Sequence, residues 1–415
     1  MFLLQKYLHM YKKLNFKEWA LLLVPLFHVL GSLYLNFLLI LTSIIFVYEL
    51  FKKKLFKEVK LYWVYFYLIF IIYNIVRGFF ATNALHAFQN SFSQIRFLFF
   101  SLFIFVCISD TKNLNVIIKT WLMFILLVCI DTFIQFFLGK DIFGLEGQPH
   151  WQRYSGPFGK ELIVGTFIVY ISIPIIFFYY NKFFKYIILK KTIFILLYLF
   201  IFLTVLFSGE RSAFIVFLLS SIVIFSLYLK LKKIIIIFSS IVILITFIYF
   251  KSHSFHSRTN DLVNIINNFY SSSYGRLYES SYLLFKKNLF FGVGLKNYRV
   301  LCDKQIDPRP NSPYQFCSTH PHNFYLEVLT ETGVVGISLL FASFFALFIY
   351  LIKKIKILKK NYYDNQYLYF FYGNILILLI YIWPIKTSGS FFTTWNGSFF
   401  WLNVGIALLI SKKFK

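Results

Sequence analysis

Apolar positions along this chain fall in unbroken blocks rather than at the three-to-four spacing of a half-buried helix. The stretches 193–207 and 234–250 carry no charge and are apolar on nearly every side, which predicts helices whose whole circumference meets hydrocarbon. Read this way, the chain predicts spans at 18–33, 34–51, 61–79, 94–109, 115–138, 161–180, 192–208, 212–229, 233–250, 334–352, 367–385 and 392–410. The first two are short and meet at Gly31-Ser32. The expected fold class is therefore an all-α polytopic membrane protein of about 12 transmembrane helices with one long periplasmic loop carrying short helices. Its expected organisation is nine helices with short loops over 1–250, a periplasmic loop subdomain over 251–333 and three further helices over 334–415.

Composition strengthens the membrane reading: 59% of the 415 residues are hydrophobic and only 14% charged. The net charge of +26 would suggest a nucleic-acid partner in a soluble protein. Here the lysines stand in short runs between apolar blocks, at 6–17, 52–60, 182–191, 230–233, 353–360 and 412–415, and consecutive counting puts all of these runs on one face. That face is expected to be cytoplasmic, with both termini on it, in a bacterial inner membrane. The first apolar stretch lacks a small-residue cleavage site and is expected to stay as a span. Cys107 and Cys129 lie inside apolar blocks and read as packing residues.

The long polar segment carries turn signals at Gly292, Gly294, Pro308, Pro310 and Pro313 beside a helix-like piece at 276–287. Cys302 and Cys317 enclose three prolines there, and an oxidising compartment would let them pair, adding about 3 kcal/mol by loop-entropy reasoning. Such a bridge would preorganise the residues just beyond it or simply stabilise the loop.

Candidate chemistry follows the cation types. All eight arginines, Arg77, Arg96, Arg153, Arg211, Arg258, Arg276, Arg299 and Arg309, fall on the outer side or at outer helix ends by this count, whereas the cytoplasmic loops use lysine alone. Guanidinium outside suits planar, bidentate recognition of phosphate or carboxylate. Arg211, in Ser-Gly-Glu-Arg-Ser between two apolar blocks, is the foremost candidate; the plain alternative is an arginine snorkelling to lipid headgroups. Arg153 sits in a Gly/Pro-rich turn able to aim backbone N–H groups at an anion, or is an ordinary loop residue. Arg276 opens an expected interfacial helix. A second constellation is His320-Pro-His322-Asn323 with Glu327, Glu331, Gly333 and Gly336 beyond it. Two histidines without further ligands do not make a zinc site, so no metal and no cofactor is expected. A neutral imidazole poised near pH 7 reads better as a general base. His9 and His28 have no comparable setting and read as structural.

His322-Asn323, nine residues, then Gly333-x-x-Gly336 resembles the signature of the O-antigen ligases, in the superfamily they share with O-antigen polymerases and protein O-oligosaccharyltransferases. The resemblance extends to Arg153-x-Ser-Gly-Pro-Phe-Gly159, to Gly209-Glu-Arg-Ser212, and to Arg276 followed by Gly292-Val-Gly294. It implies a metal-independent, inverting glycosyltransferase of lipopolysaccharide biosynthesis, moving glycan from undecaprenyl diphosphate to lipid A-core oligosaccharide at the periplasmic face. It further implies that His322 takes the base-like role while Arg211, Arg276 and Arg153 hold the diphosphate, supported by Asn323, His320, Gly333 and Gly336. His320 adds a histidine whose role the motif does not define. Polymerase and protein-glycosylating activities remain open, as does a transporter of polyprenyl-linked sugars. A transporter, however, would expect ionisable groups near the bilayer midplane, whereas Asp131, the main acidic residue deep in a span, lies toward its outer end.

Overall fold

The computed structural model describes residues 11–108, 113–148, 153–184, 188–227, 229–251, 253–362 and 365–413. In chain order the α-helices are α1 Phe16–Leu22, α2 Val24–Leu30, α3 Ser32–Lys52, α4 Phe56–Val59, α5 Tyr62–Gly78, α6 Ala84–Ser93, α7 Ile95–Cys107, α8 Leu114–Leu138 and α9 Val164–Phe184. They continue as α10 Ile188–Phe207, α11 Arg211–Ser226, α12 Leu231–Lys251, α13 His253–Asn267, α14 Ser273–Lys287, α15 Tyr298–Cys302, α16 Phe324–Tyr362, α17 Gln366–Tyr381 and α18 Thr394–Lys413. The described residues form no strand, only two isolated bridges in the 140–153 loop.

Each apolar block is helical, but the details differ from the expectation. The block at 18–33 is two helices, because Pro25 opens α2 and cannot continue the ladder of α1. Gly31, at φ 103°, then separates α2 from α3. The span expected at 94–109 is preceded by α6, whose start Asn83 caps by accepting from the His86 N–H. The span expected at 334–352 begins ten residues earlier, at Phe324, and bends where Gly333 leaves helical geometry at φ 66°.

Among the described residues, five helical stretches are long and apolar enough to cross a membrane: Ser32–Lys52, Ala84–Cys107, Leu114–Leu138, Leu231–Lys251 and Phe324–Lys359. Five shorter apolar helices accompany them, and together they make a multi-pass membrane protein. The packed centre joins α9 to α17, α7 to α18 and α3, and α5 to α16. Trp63, Tyr67, Phe97, Phe399 and Trp401 are fully buried there. α12 stands apart, presenting Ile235, Val242, Ile243, Phe247 and Phe250 outward as a lipid-facing helix would. The termini expected in the cytoplasm fall on residues 1–10, which include His9, and 414–415, all outside the described residues.

α14, α15 and the loop that follows pack on the first turns of α16. Cys302 and Cys317 form a disulfide, with Cα atoms 5.5 Å apart, which ties α15 to the strand of chain leading into His320. Gly292 lies against the bend in α16: a Cβ there would come within 2.5 Å of the backbone of Glu331, Thr332 and Gly333. Tyr73 and Arg77 of α5 close this junction, Tyr73 donating to the Thr332 carbonyl at 2.7 Å and Arg77 to the Gly292 carbonyl at 2.7 Å. The two glycine motifs are thus one contact, a close backbone crossing that side chains would prevent.

Candidate active site

A cavity of about 680 Å³ opens where α2, α9 and α11 meet three loops. Its walls carry Arg153 and Glu161 from the loop before α9, Glu210 and Ser212 at the start of α11, and Tyr274 at the start of α14. His320 and His322 contribute from the segment before α16, and 386–390 from the loop between α17 and α18.

His322 enters this cavity in an unusual backbone state. Its φ of 55° lies in the left-handed region, which costs a non-glycine residue on the order of 1 kcal/mol. Two neighbours hold it. The Ser388 N–H donates to the His322 carbonyl at 2.9 Å, and Asn323, next in the chain, caps α16 by accepting from the Tyr325 and Leu326 N–H groups at 3.0 and 3.1 Å. The Asn323 amide donates in turn to the Pro384 carbonyl at 2.9 Å. Asparagine at this position therefore does two tasks at once, starting the helix and binding the 382–393 loop to it.

The two imidazoles lie 4.1 Å apart by ring centroid, and the Tyr274 ring meets His322 edge-on at 6.3 Å. Burial pushes His322 below the ordinary histidine range, against the opposing pull of Glu327 and the Ser388 contact. His320 is driven further, to about 4, by burial and by His322 itself. Both rings are neutral near pH 7. His322, the less depressed of the two, is the better proton acceptor, since a base works best with its pKa nearer the working pH. The His320 Nδ1 is 3.0 Å from the Thr319 hydroxyl, and its buried Nε2 has no protein partner.

The arginines divide. Arg153 lines the cavity, donates to the Leu162 carbonyl at 2.5 Å and keeps a buried Nε without a protein partner. Arg211 does not line it; its neighbours Glu210 and Ser212 do, while its guanidinium lies 3.6 Å from Asp261 of α13 and is about one-third exposed. Arg276 is elsewhere: fully buried, it bonds Glu279 at 3.0 Å, Asp307, and the Arg309 carbonyl at 3.0 Å, under the Phe316 ring at 5.0 Å. Its charge is thus already met by two carboxylates outside the cavity, although its buried Nε has no protein partner. Of the other arginines, Arg77 holds the glycine crossing, Arg96 reaches the Thr394 hydroxyl at 3.2 Å, Arg309 pairs with Glu279 at 2.5 Å, and the Arg299 Nε is buried without a partner. The side chain of Arg258 lies outside the described residues. His28, which also lines the cavity, has both ring nitrogens engaged, with the Val24 carbonyl at 2.8 Å and the Ser398 hydroxyl at 2.9 Å.

Residues 196–341 match the family model described as O-Antigen ligase. The match supports the O-antigen ligase family and the wider ligase and polymerase superfamily, whose activity is of the glycosyltransferase kind with glycan and lipid-linked substrates. It covers Arg211, Arg276, both paired cysteines, His320, His322, Asn323, Gly333 and Gly336. Arg153 and the 382–393 loop lie beyond it. No curated protein sequence matches the chain.

Several residues of this site had no assigned role in the sequence. Glu327 is buried and accepts from the Phe391 N–H at 2.9 Å and from Ser390, and it pairs with the buried Lys296 at 3.2 Å. Tyr325 donates to the Ile382 carbonyl at 2.7 Å. Three side chains of the histidine segment and its helix, with the His322 carbonyl, thus fasten the 382–393 loop. The run of Glu327 one helical turn after Asn323 was the available signal, since both fall on one face of a helix.

Proposed function

We propose that the protein is an O-antigen ligase, transferring glycan from undecaprenyl diphosphate to lipid A-core oligosaccharide. In this reading about twelve spans place the cavity on the periplasmic face of the inner membrane, with both termini in the cytoplasm. The observation that carries it is the pair of neutral imidazoles in the wall of a cavity that also holds Arg153.

The acceptor sugar hydroxyl gives its proton to the neutral His322 as its oxygen bonds to C1 of the donor sugar. The bond from C1 to the phosphate oxygen breaks on the opposite face, inverting C1, and its electron pair leaves with the diphosphate. Charge grows on that departing group, and a fixed guanidinium stabilises it most when water is excluded. Arg153, on the cavity wall, supplies that charge in this scheme. Arg211, at the neighbouring turn, reaches the same anion once its weak contact with Asp261 is released, since a half-exposed pair at that distance is worth little. Cationic side chains supply the charge in this scheme, and no metal is required. Arg276, whose charge Glu279 and Asp307 already meet, positions Tyr274 and the disulfide-tied loop around the cavity rather than touching the donor.

Complementation of a ligase-deficient Gram-negative strain with compatible donor and core tests the assignment. Wild type is expected to place long O-chains on lipid A-core, and His322→Ala at matched membrane expression is expected not to. Elongated lipid-linked glycan without core transfer would assign a polymerase instead, glycan on protein would assign a protein glycosylase, and full transfer by His322→Ala would overturn the site.

A further inference from the structure

We propose that Lys386, on the loop between α17 and α18, is a binding residue of the same cavity and contacts the phosphate of the lipid-linked donor. The inference rests on the glycosyl-transfer reading above and names a cation that lies outside the matched 196–341 segment.

Lys386 lines the cavity on the wall that also carries His320 and His322. Its ammonium donates to the Tyr170 hydroxyl and lies over two rings, 5.0 Å from the centroid of Tyr170 and 4.9 Å from that of Tyr381. Among the described residues no carboxylate pairs with the half-buried Lys386, whereas the buried lysine of this region, Lys296, has Glu327. An ammonium offers three donors, and Tyr170 takes one. Ring faces favour a cation without discharging it, so the site is completed by an anion from outside.

The loop is built to hold this lysine still. Asn323 grips Pro384, Tyr325 grips Ile382, Ser388 donates to His322, and Glu327 secures Ser390 and Phe391. Contacts therefore fall on both sides of Lys386, and each comes from the segment that carries the candidate base. A cation and a base on one rigid frame keep a fixed separation, which suits a reaction with charge growing on the leaving group while a proton is taken from the nucleophile. As the C1 to phosphate bond breaks, the electron pair stays on the phosphate oxygen facing the ammonium, and the proton of the acceptor hydroxyl stays on His322.

The charged and titratable groups that share the cavity with the lysine are Tyr170 on α9, Glu210 at the start of α11, Tyr274 at the start of α14, Arg153 and Glu161 on the loop before α9, and His28, His320 and His322, with Tyr381 of α17 against its ammonium. Glu210 is already engaged, accepting from the Gly165 N–H at 2.6 Å and the Thr166 hydroxyl at 2.6 Å. Burial pushes Lys386 down to about 7. The ammonium is the anion-binding form, so donor capture by the free enzyme should weaken as pH rises through that value. A guanidinium stays charged throughout.

The test uses the full-length protein in vesicles, with a lipid-linked donor and lipid A-core acceptor, comparing wild type, Lys386→Met and Lys386→Arg. Lys386→Met is expected to raise the donor KM about 10- to 100-fold with the acceptor KM unchanged. Lys386→Arg is expected to restore most of the loss and to remove the decline of kcat/KM above pH 7. An unchanged donor KM in Lys386→Met, a rise confined to the acceptor KM, or the same alkaline decline in Lys386→Arg would each overturn the proposal. Binding of inorganic pyrophosphate, measured calorimetrically on the same samples, separates the two readings. Wild type that binds it at least tenfold tighter than Lys386→Met but transfers no glycan keeps the anion site and removes the ligase assignment; equal binding removes the anion site.

Discussion

Arg276 and Lys386 are both cations drawn out of bulk water, and their surroundings differ in one respect: Arg276 has two carboxylates and a carbonyl, Lys386 has a hydroxyl and two ring faces. The first cluster is closed on itself. Glu279 bridges Arg276 and Arg309, Asp307 accepts from Arg276 and from the Arg309 N–H at 2.7 Å, and the result is a folded knot that ties α14 to the proline-rich loop. The second is open toward the cavity. A residue type by itself did not separate scaffold from site; whether carboxylates already meet the cation's charge did.

That contrast can be broken by mutation, and the largest effect belongs to the open side. His322→Ala should lower kcat by at least about 100-fold, the usual worth of a positioned base, while thermal unfolding in detergent stays near that of wild type. An unfolded variant would instead make the histidine part of the scaffold. Next in size, Arg276→Ala should cost stability. Its removal takes one partner from each of Glu279 and Asp307, which keep Arg309; because each is also about a third exposed, the loss should be about 2–3 kcal/mol, below the ~3–5 kcal/mol of a fully buried pair. Activity per folded molecule should fall far less than in His322→Ala, and transfer assays normalised to the folded fraction would show it. If the folded fraction of Arg276→Ala loses donor binding, the knot touches substrate after all.

Asn323→Ala should sit between the two classes. It loses an N-cap worth about 1 kcal/mol and frees the loop at Pro384, so a modest drop in unfolding temperature should accompany a roughly tenfold loss of kcat/KM. A stability loss without any kinetic loss would mean that the clamp on the loop is idle. The smallest effect is in the pH profile. The neutral imidazole is the working form, and burial lowers the His322 pKa from 6.5, so the acid limb of kcat/KM should lie below pH 6.5 and vanish in His322→Ala. An acid limb at higher pH would require a buried carboxylate partner for His322 that the structure does not show.

The helices were legible because the bilayer leaves little choice: a block apolar on all sides must be helical, and Gly31 marked a break that the backbone indeed makes with positive φ. α6 was not, since His86, Gln89 and Asn90 give it the composition of a loop and its stability comes from packing against α5. The histidine pair was legible because His-Pro-His-Asn is conspicuous against a greasy background. Arg276 was read from its type and its place at a helix start, and its real partners, Asp307 and Arg309, lie thirty residues away where no local pattern announces them. Lys386 was passed over for the opposite reason. In a chain whose lysine runs read as markers of one membrane face, one lysine in Ile-Lys-Thr-Ser-Gly-Ser carries no signal until the loop is seen folded against His322.

The most direct test of the account is single-turnover transfer by purified protein in vesicles, loaded with labelled lipid-linked donor and chased with lipid A-core, for wild type and His322→Ala. The account predicts that His322→Ala retains the donor as well as wild type but transfers it at least about 100-fold more slowly. Transfer at the wild-type rate by His322→Ala would contradict it.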